Sequence, residues 1–153
     1  MASSFGRFYD NFVVEQVYFH EIAKTITESD NNLFCLLTMN HHPVHLNEEY
    51  AKKKQHGKIL VVGTYVFSLV VGLTVPDISG KAIANLDYEQ VVHEWPVFIG
   101  DTIRAETVVL DKRLSKSKPD IGIVYVETKA YNQHDRNVLT FRRHFMVPVE
   151  EIS

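Results

Sequence analysis

The feature that most constrains the fold is one apolar segment near the middle of the chain. Residues 64–74, after Gly63, are almost wholly apolar, and Pro76 follows as a stop signal. This segment is too long for a typical strand, so it predicts a buried central helix. The apolar run from Ile59 to Val75 is interrupted by glycines and hydroxyl side chains, which argues against a membrane-spanning helix.

The second half of the chain has the composition of β-strands. Four segments after Pro76 are rich in Val, Ile, Thr, Tyr and Phe: Ala82–Glu94, Asp101–Asp111, Gly122–Tyr131 and Val138–Val147. Residues 103–109 alternate between apolar and polar side chains, and Asn132–Asp135 is typical of a hairpin turn. Helices followed by a run of strands indicate an α+β domain, in which a curved antiparallel sheet wraps the central helix.

Shorter elements are predicted before the central helix. A strand within residues 18–27 leads to Thr27 or Ser29, either of which can cap a helix over about residues 30–39. Pro43 lacks an amide hydrogen, so the helix should end before it in a tight loop. A second short helix is expected over residues 47–54, with acids in its first turn and lysines in its last.

Length and composition predict one globular domain spanning residues 1–153. The chain has 45% hydrophobic residues and a net charge of -3, which lacks the cationic excess of nucleic-acid binders. A single cysteine, Cys35, cannot form an internal disulfide, and no secretory leader is recognised. We therefore expect a cytoplasmic protein with no nucleic-acid partner and no membrane association.

One motif and its continuation resemble a known family. Residues 37–47 read Leu-Thr-Met-Asn-His-His-Pro-Val-His-Leu-Asn, which resembles the hydratase motif of the MaoC-like family, Gly-Asp-x-Asn-Pro-x-His. The likeness continues through Glu49-Tyr50-Ala51, Gly63 and residues 95–103, Trp-Pro-Val-Phe-Ile-Gly-Asp-Thr-Ile. The resemblance implies a hot-dog fold and an (R)-specific enoyl-CoA hydratase or dehydratase.

A shorter likeness points to one branch of this family. Residues 115–124, Ser-Lys-Ser-Lys-Pro-Asp-Ile-Gly-Ile-Val, and the pair Asn132-Gln133 are similar to the mesaconyl-CoA and itaconyl-CoA hydratases. This resemblance implies a methyl-branched dicarboxylic acyl group.

The resemblance assigns three catalytic positions. His45 takes the place of the family's histidine, Asn40 that of its aspartate, and Gly63 that of the residue whose amide binds the developing oxyanion. Hydration of an enoyl thioester needs proton transfer and stabilisation of an enolate oxygen. An imidazole side chain, which as a class can exchange protons around neutral pH, suits the first task, and the free amide at a helix start suits the second. Asn40 can position water or the His45 ring. Besides Asn40, two further departures from the motif are Met39 for glycine and His42 for asparagine.

For contacts to the substrate, to CoA phosphates and to a metal, the sequence leaves alternatives open. Pro43, Val62, Lys116 and Lys118 are the predicted substrate contacts. Lys52–Lys54 fit either a solvated helix end or contacts to CoA phosphates. His41, His42 and His45 could form a metal cluster, but Pro43 interrupts their helix, so we expect neither a metal nor a cofactor.

Two rival functions and one assembly also follow from the sequence. A thioesterase shares the hot-dog scaffold, and Asn40 in place of an acid is compatible with a non-catalytic acyl-CoA binder. A sheet wrapped around one helix leaves an exposed edge strand and part of the helix uncovered, so a homodimer is expected.

Overall fold

The computed structural model describes residues 5–151. A 3-10 turn (Tyr9–Asn11) precedes the strands and helices, and a π-helical turn (Val75–Ser79) follows the fourth helix. The elements in chain order are β1 (Val17–Phe19), β2 (Lys24–Thr25), α1 (Glu28–Leu37), α2 (Pro43–Leu46), α3 (Glu48–Ala51), α4 (Gly63–Thr74), β3 (Ala84–Asn85), β4 (Glu89–His93), β5 (Thr102–Leu114), β6 (Ile121–Tyr131) and β7 (Asn137–Pro148).

The strands form an antiparallel sheet around long β5, β6 and β7. Strands β1 and β2 pair with β5, and β3 and β4 pair with β7. Three of the four predicted strands are confirmed with small shifts at their ends. The prediction of one strand over residues 82–94 was wrong, because the chain breaks between β3 and β4. At the break the carboxylate of Asp87 accepts the amide hydrogen of His144 at 2.7 Å, where a backbone carbonyl would otherwise pair.

Helix α4 lies across the concave face of the sheet, and its predicted bounds are confirmed. Val66, Val70 and Leu73 are buried against residues of β5 and β7, among them Phe141. The opposite stripe, Thr64, Ser68 and Gly72, is exposed, so part of the helix is left uncovered, as predicted. None of the helices formed by residues 5–151 has the length and apolar character needed to traverse a lipid bilayer.

The α-helix ends at Thr74, before Pro76 as predicted, but the helical path does not end there. The chain continues past it in the π-helical turn, where the proline lies at the beginning. A proline in the first turn of a helical segment need not donate an amide hydrogen, so it is tolerated there. The turn carries Asp77 and Ser79 to the end of α4 that lies far from Gly63.

Thr27 caps α1 as predicted. Its hydroxyl accepts the Asp30 amide hydrogen at 3.2 Å, and the Asp30 carboxylate accepts the Thr27 amide hydrogen at 2.9 Å. The short helix predicted over residues 47–54 is confirmed as α3, which ends earlier, at Ala51, and is capped by the Asn47 side chain accepting from the Tyr50 amide at 2.9 Å. The loop predicted before it contains one more short helix, α2, whose first residue is Pro43.

Candidate active site

The turn before His45 begins with a left-handed residue. Met39 has a φ of 61°, and the Asn40 amide donates to the Cys35 carbonyl at 2.9 Å. This is the usual way in which a helix ends on glycine, the residue that the family motif has at this position. A methionine in this conformation costs roughly 1–2 kcal/mol.

Side-chain contacts to the backbone shape the rest of the turn. The Asn40 side-chain oxygen accepts from the His42 amide at 3.3 Å, and His42 Nδ1 accepts from the Val44 amide at 3.1 Å. These bonds lead into Pro43 and α2, which carries His45 on its third residue. Asn40 therefore supports the turn through its oxygen, while its side-chain nitrogen has no partner among residues 5–151.

The His45 ring is oriented by the backbone ahead of the central helix. His45 Nδ1 lies 2.6 Å from the carbonyl oxygen of Leu60. Because a carbonyl can only accept, Nδ1 must carry the hydrogen, and Nε2 of the neutral ring then keeps its lone pair. The half-buried ring is thus held in the tautomer that can take a proton through Nε2. Leu60, rather than Asn40, fixes its orientation.

Asn31 ties His45 to the start of α4. Its side-chain nitrogen donates to the His45 carbonyl at 2.9 Å, and its oxygen accepts from the Val62 amide at 3.0 Å. The side chain is fully buried, and neighbouring Cys35 is buried as well. Burial raises the pKa of the Cys35 thiol, which makes it a poor nucleophile. Asn31 was not among the predicted site residues, since a polar residue in the first turns of a helix gives no local sign of a buried partner.

The start of α4 leaves amide hydrogens unused. Val62 is the cap residue, and its side chain makes no capping hydrogen bond. Among residues 5–151 no group accepts from the amides of Gly63 or Thr64. These amides lie at the positive end of the helix dipole and can bind an oxyanion.

A mainly apolar cavity of about 310 Å³ adjoins Gly63. Apolar residues form most of its wall, and it is lined by Leu60, Val61, Gly63, Val66, His93, Glu94, Trp95, Pro96 and Val97. A Cβ atom built on Gly63 would lie 2.9 Å from Cε1 and from Nε2 of His93. The close approach of this ring therefore requires glycine. His93 was not among the predicted site residues, although it stands two residues before the family-like segment that begins at Trp95.

The structure brings some predicted contacts together and separates others. Pro43 lies on α2 with His45, and Val62 directly precedes Gly63. Lys116 and Lys118 lie in the hairpin between β5 and β6. That hairpin is at the opposite end of β5 from Thr102, which pairs with the strand leading to α1. Within one chain, the two lysines therefore do not lie near Gly63, where the substrate is predicted to bind.

The histidines near α2 have other partners than a metal. His42 Nδ1 and His45 Nδ1 are each engaged with the backbone, and the ring centroids lie 5.9 Å apart. Within residues 5–151, a cluster with suitable ligand spacing occurs instead at Asp87, Glu89 and His144. There the Asp87 carboxylate accepts from His144 Nδ1 at 2.9 Å, and the Tyr125 ring stacks on the imidazole at 4.0 Å.

Comparison with known proteins agrees with this arrangement. Residues 11–132 match the model of the MaoC like domain. The chain belongs to the MaoC-like family. The mesaconyl-CoA hydratase of Cereibacter sphaeroides is 33% identical over 147 residues, an alignment that covers 96% of this chain and 43% of the relative. The resemblance found in the sequence is thereby confirmed.

Solved structures confirm the fold. A MaoC domain protein from Chloroflexus aurantiacus superposes with a TM-score of 0.93 at 32% identity, over 99% of this chain and 43% of that protein. A Mycobacterium tuberculosis protein described as a double hot-dog fold gives 0.88 at 21% identity, over 97% and 46%. This MaoC-like chain has the hot-dog fold and spans less than half the length of these relatives.

Proposed function

We propose that this domain adds water to, or removes water from, the α,β double bond of an acyl-CoA thioester. One observation carries the proposal. His45 Nδ1 is hydrogen-bonded to the carbonyl of Leu60, which leaves the Nε2 lone pair available, and Leu60 lies three residues before Gly63, whose amide has no partner among residues 5–151. A proton acceptor and an oxyanion donor are thus held by one short segment. The mesaconyl-CoA hydratase and a β-methylmalyl-CoA dehydratase from Chloroflexus aurantiacus, 34% identical over 142 residues, support this reaction class.

The residues divide the reaction into two proton transfers. His45 Nε2 takes a proton from water as the water oxygen bonds to the β-carbon, and the electron pair moves to the thioester oxygen. The Gly63 amide stabilises that enolate oxygen. The imidazolium then returns the proton to the α-carbon, so the net change is addition of one water.

The names of the relatives also favour a finer substrate class. Three of the curated matches are mesaconyl-CoA hydratases, which agrees with the branch-like residues 115–124. A methyl-branched dicarboxylic acyl group is therefore part of the proposal. A cytoplasmic location stays a prediction from the sequence.

Assembly into a homodimer is the further element of the proposal. Within residues 5–151, the outer edge of β4 pairs with no strand, and apolar side chains are exposed along it, namely Leu86, Tyr88, Val91, Val92 and Trp95. Because the longer relatives include a double hot-dog protein, a second copy of this chain can take the place of the other half. Sedimentation that yields only an active monomer would contradict this arrangement.

The proposal is tested with purified protein and a panel of enoyl-CoA substrates. Loss of enoyl absorbance should occur without release of free thiol, which separates a hydratase from a thioesterase. We expect His45→Gln to lower turnover at least about a hundredfold, the usual contribution of a general acid–base. The neighbouring exposed residue provides the control, and His41→Gln should retain full turnover. Undiminished hydration by His45→Gln would refute the assigned role.

Asn40 favours one alternative function, a non-catalytic acyl-CoA binder, because an amide stands where the family motif has an acid. Tight binding of thioesters without turnover by the wild-type protein would establish that alternative. The variant Asn40→Asp restores the motif in the same assay. A sharp gain in turnover would identify this chain as a weakened enzyme, whereas a loss would give the amide a function of its own.

A further inference from the structure

A second cavity adjoins the candidate active site from the side of α3. It measures about 330 Å³, and its floor is formed by Val44 and Leu60. The other lining residues are polar or charged: His42, Tyr50, Lys54, Gln55, His56 and Lys58. Leu60 is also the residue whose carbonyl holds His45, so this cavity and the proton-transfer group share a wall.

The ionisable side chains of lysine and histidine that line this cavity are all basic. Two lysines and two histidines line it without any carboxylate, in a chain whose net charge is -3. Lys52 is paired with Glu49 at 2.7 Å, but within residues 5–151 neither Lys54 nor Lys58 has a carboxylate partner. Unpaired ammonium groups around a concave surface give it a positive potential, which favours an anion.

Ring contacts place both ammonium groups while leaving them able to donate. Lys54 Nζ lies 4.5 Å from the centroid of the Tyr50 ring, and Lys58 Nζ lies 4.1 Å from that of Phe98. Such cation–π contacts use the charge but not the N–H groups. The lysines are therefore oriented, and their hydrogen-bond donors remain available to a ligand.

His42 adds a further donor. Since its Nδ1 accepts from the Val44 amide at 3.1 Å, the hydrogen of the neutral ring resides on Nε2. The His42 ring lies 5.9 Å from that of His45 and 6.3 Å from that of Tyr50. The residue that replaces the family's asparagine thus stands between the basic cavity and the proton-transfer group.

We infer that this cavity is a subsite for an anionic group of the thioester substrate, bound by Lys54 and Lys58 with His42 as a neutral donor. The inference rests on the proposed function. Two parts of an acyl-CoA carry the required chemistry: a carboxylate at the far end of a dicarboxylic acyl group, and the phosphates of CoA. Either would occupy a cavity that shares Leu60 with the site of His45.

The test compares wild-type protein with the double variant Lys54→Gln/Lys58→Gln. Both side chains are exposed, so the variant should fold normally. With crotonyl-CoA and mesaconyl-CoA as substrates, and with free CoA and pantetheine as inhibitors, we expect KM or the inhibition constant to rise about tenfold for ligands that carry the recognised anion. The value of kcat should change little. The control Lys53→Gln lies outside the cavity lining and should leave all four constants unchanged.

The pattern of the rise identifies the anion. A rise for mesaconyl-CoA alone assigns the subsite to the acyl carboxylate, and a rise for both substrates and CoA, but not pantetheine, assigns it to the phosphates. Unchanged constants for every ligand overturn the subsite while the proposed function stands. If the wild-type protein neither binds nor converts any thioester, the proposed function and the subsite fail together.

Discussion

The two ends of the central helix differ in how their polar groups are used. At the N-terminal end, the amides of Gly63 and Thr64 have no partner among the described residues, and Gly63 lines a cavity. At the C-terminal end, buried Arg143 donates to the hydroxyls of Thr74 at 2.8 Å and Ser79 at 3.2 Å. The first end keeps hydrogen-bond capacity for a ligand, and the second uses it to hold the fold together.

The C-terminal end extends into a chain of buried hydrogen bonds. His20 Nδ1 lies 2.8 Å from the Asp77 carboxylate, and His20 Nε2 lies 2.8 Å from the Thr107 hydroxyl. Thr107 in turn lies 2.8 Å from Thr128. The Arg143 guanidinium also lies next to the C-terminal end of α4, where a positive charge interacts favourably with the negative end of the helix dipole. The N-terminal end has hydrogen-bond donors that are free within the described part of the chain, whereas the polar groups at the C-terminal end are hydrogen-bonded to each other. We therefore expect changes at the N-terminal end to affect function and changes at the C-terminal end to affect stability.

The comparison predicts opposite outcomes for two glycines of α4. Gly63→Ala would place a methyl group 2.9 Å from the His93 ring and beside the free amides, because Cβ atoms tilt toward the helix N-terminus. We expect hydration to fall about a hundredfold, the scale of losing an oxyanion donor. Stability should change little, since the exposed His93 ring can move.

Gly72→Ala is the matched substitution. Nothing lies within 4 Å of a Cβ atom at this exposed helical position. The variant should gain about 0.5–1 kcal/mol of stability by helix propensity and keep full activity. Equal activities of the two variants, measured on folded protein, would mean that the N-terminal end has no special role in catalysis.

The same helix offers a pair of threonines for the opposite comparison. Thr74→Val removes the acceptor of Arg143 and the hydroxyl that donates to the Val71 carbonyl at 2.7 Å. Because a buried guanidinium loses a partner, the free energy of unfolding should fall by about 1.5–3 kcal/mol. Urea denaturation measures this loss. Thr64→Val, at the exposed N-terminal end, should stay within about 0.5 kcal/mol of wild type; a similar loss in both variants would remove the distinction.

Local patterns in the sequence were sufficient to predict α4 and the long strands. The uninterrupted apolar run after Gly63 predicted both ends of the helix, and the alternation in residues 103–109 predicted β5. These signals depend on side chains close together in sequence. The fold predicted that part of α4 would stay uncovered. It did not predict which stripe, since Thr64, Ser68 and Gly72 read as minor interruptions of an apolar segment.

The motif gave the candidate site, but not the contacts that hold it. The Leu60 carbonyl on the His45 ring and the Asn31 side chain are joined to their partners across 15 and 14 residues of sequence. His20 and Thr107 are separated by 87 residues. Such bonds are set by the packing of whole elements, and no periodicity or spacing encodes them. His93 was missed for the same reason, because its contact with Gly63 joins the end of β4 to the start of α4.

Acid should weaken the C-terminal network through His20. Burial lowers the pKa of this imidazole below its usual 6.5; the hydrogen bond and charge of Asp77 oppose the shift, and the charges of Arg143 and Arg7 add to it. The unfolded chain therefore binds a proton at a higher pH than the folded protein does. The stability from the neutral ring is fully present above about pH 6.5 and is lost as pH falls from there toward the folded pKa, by at most about 1.4 kcal/mol per pH unit.

This effect is measured as the slope of the unfolding free energy against pH between pH 7.5 and 5.5. His20→Gln removes the titrating group, so its stability should depend less steeply on pH than that of wild type, even though the variant starts from a lower value. His134→Gln changes an exposed histidine of the β6–β7 turn and should keep the wild-type slope. Identical slopes in wild type and His20→Gln would mean that protonation of His20 is not linked to unfolding. The C-terminal network would then stabilise the fold equally at both pH values.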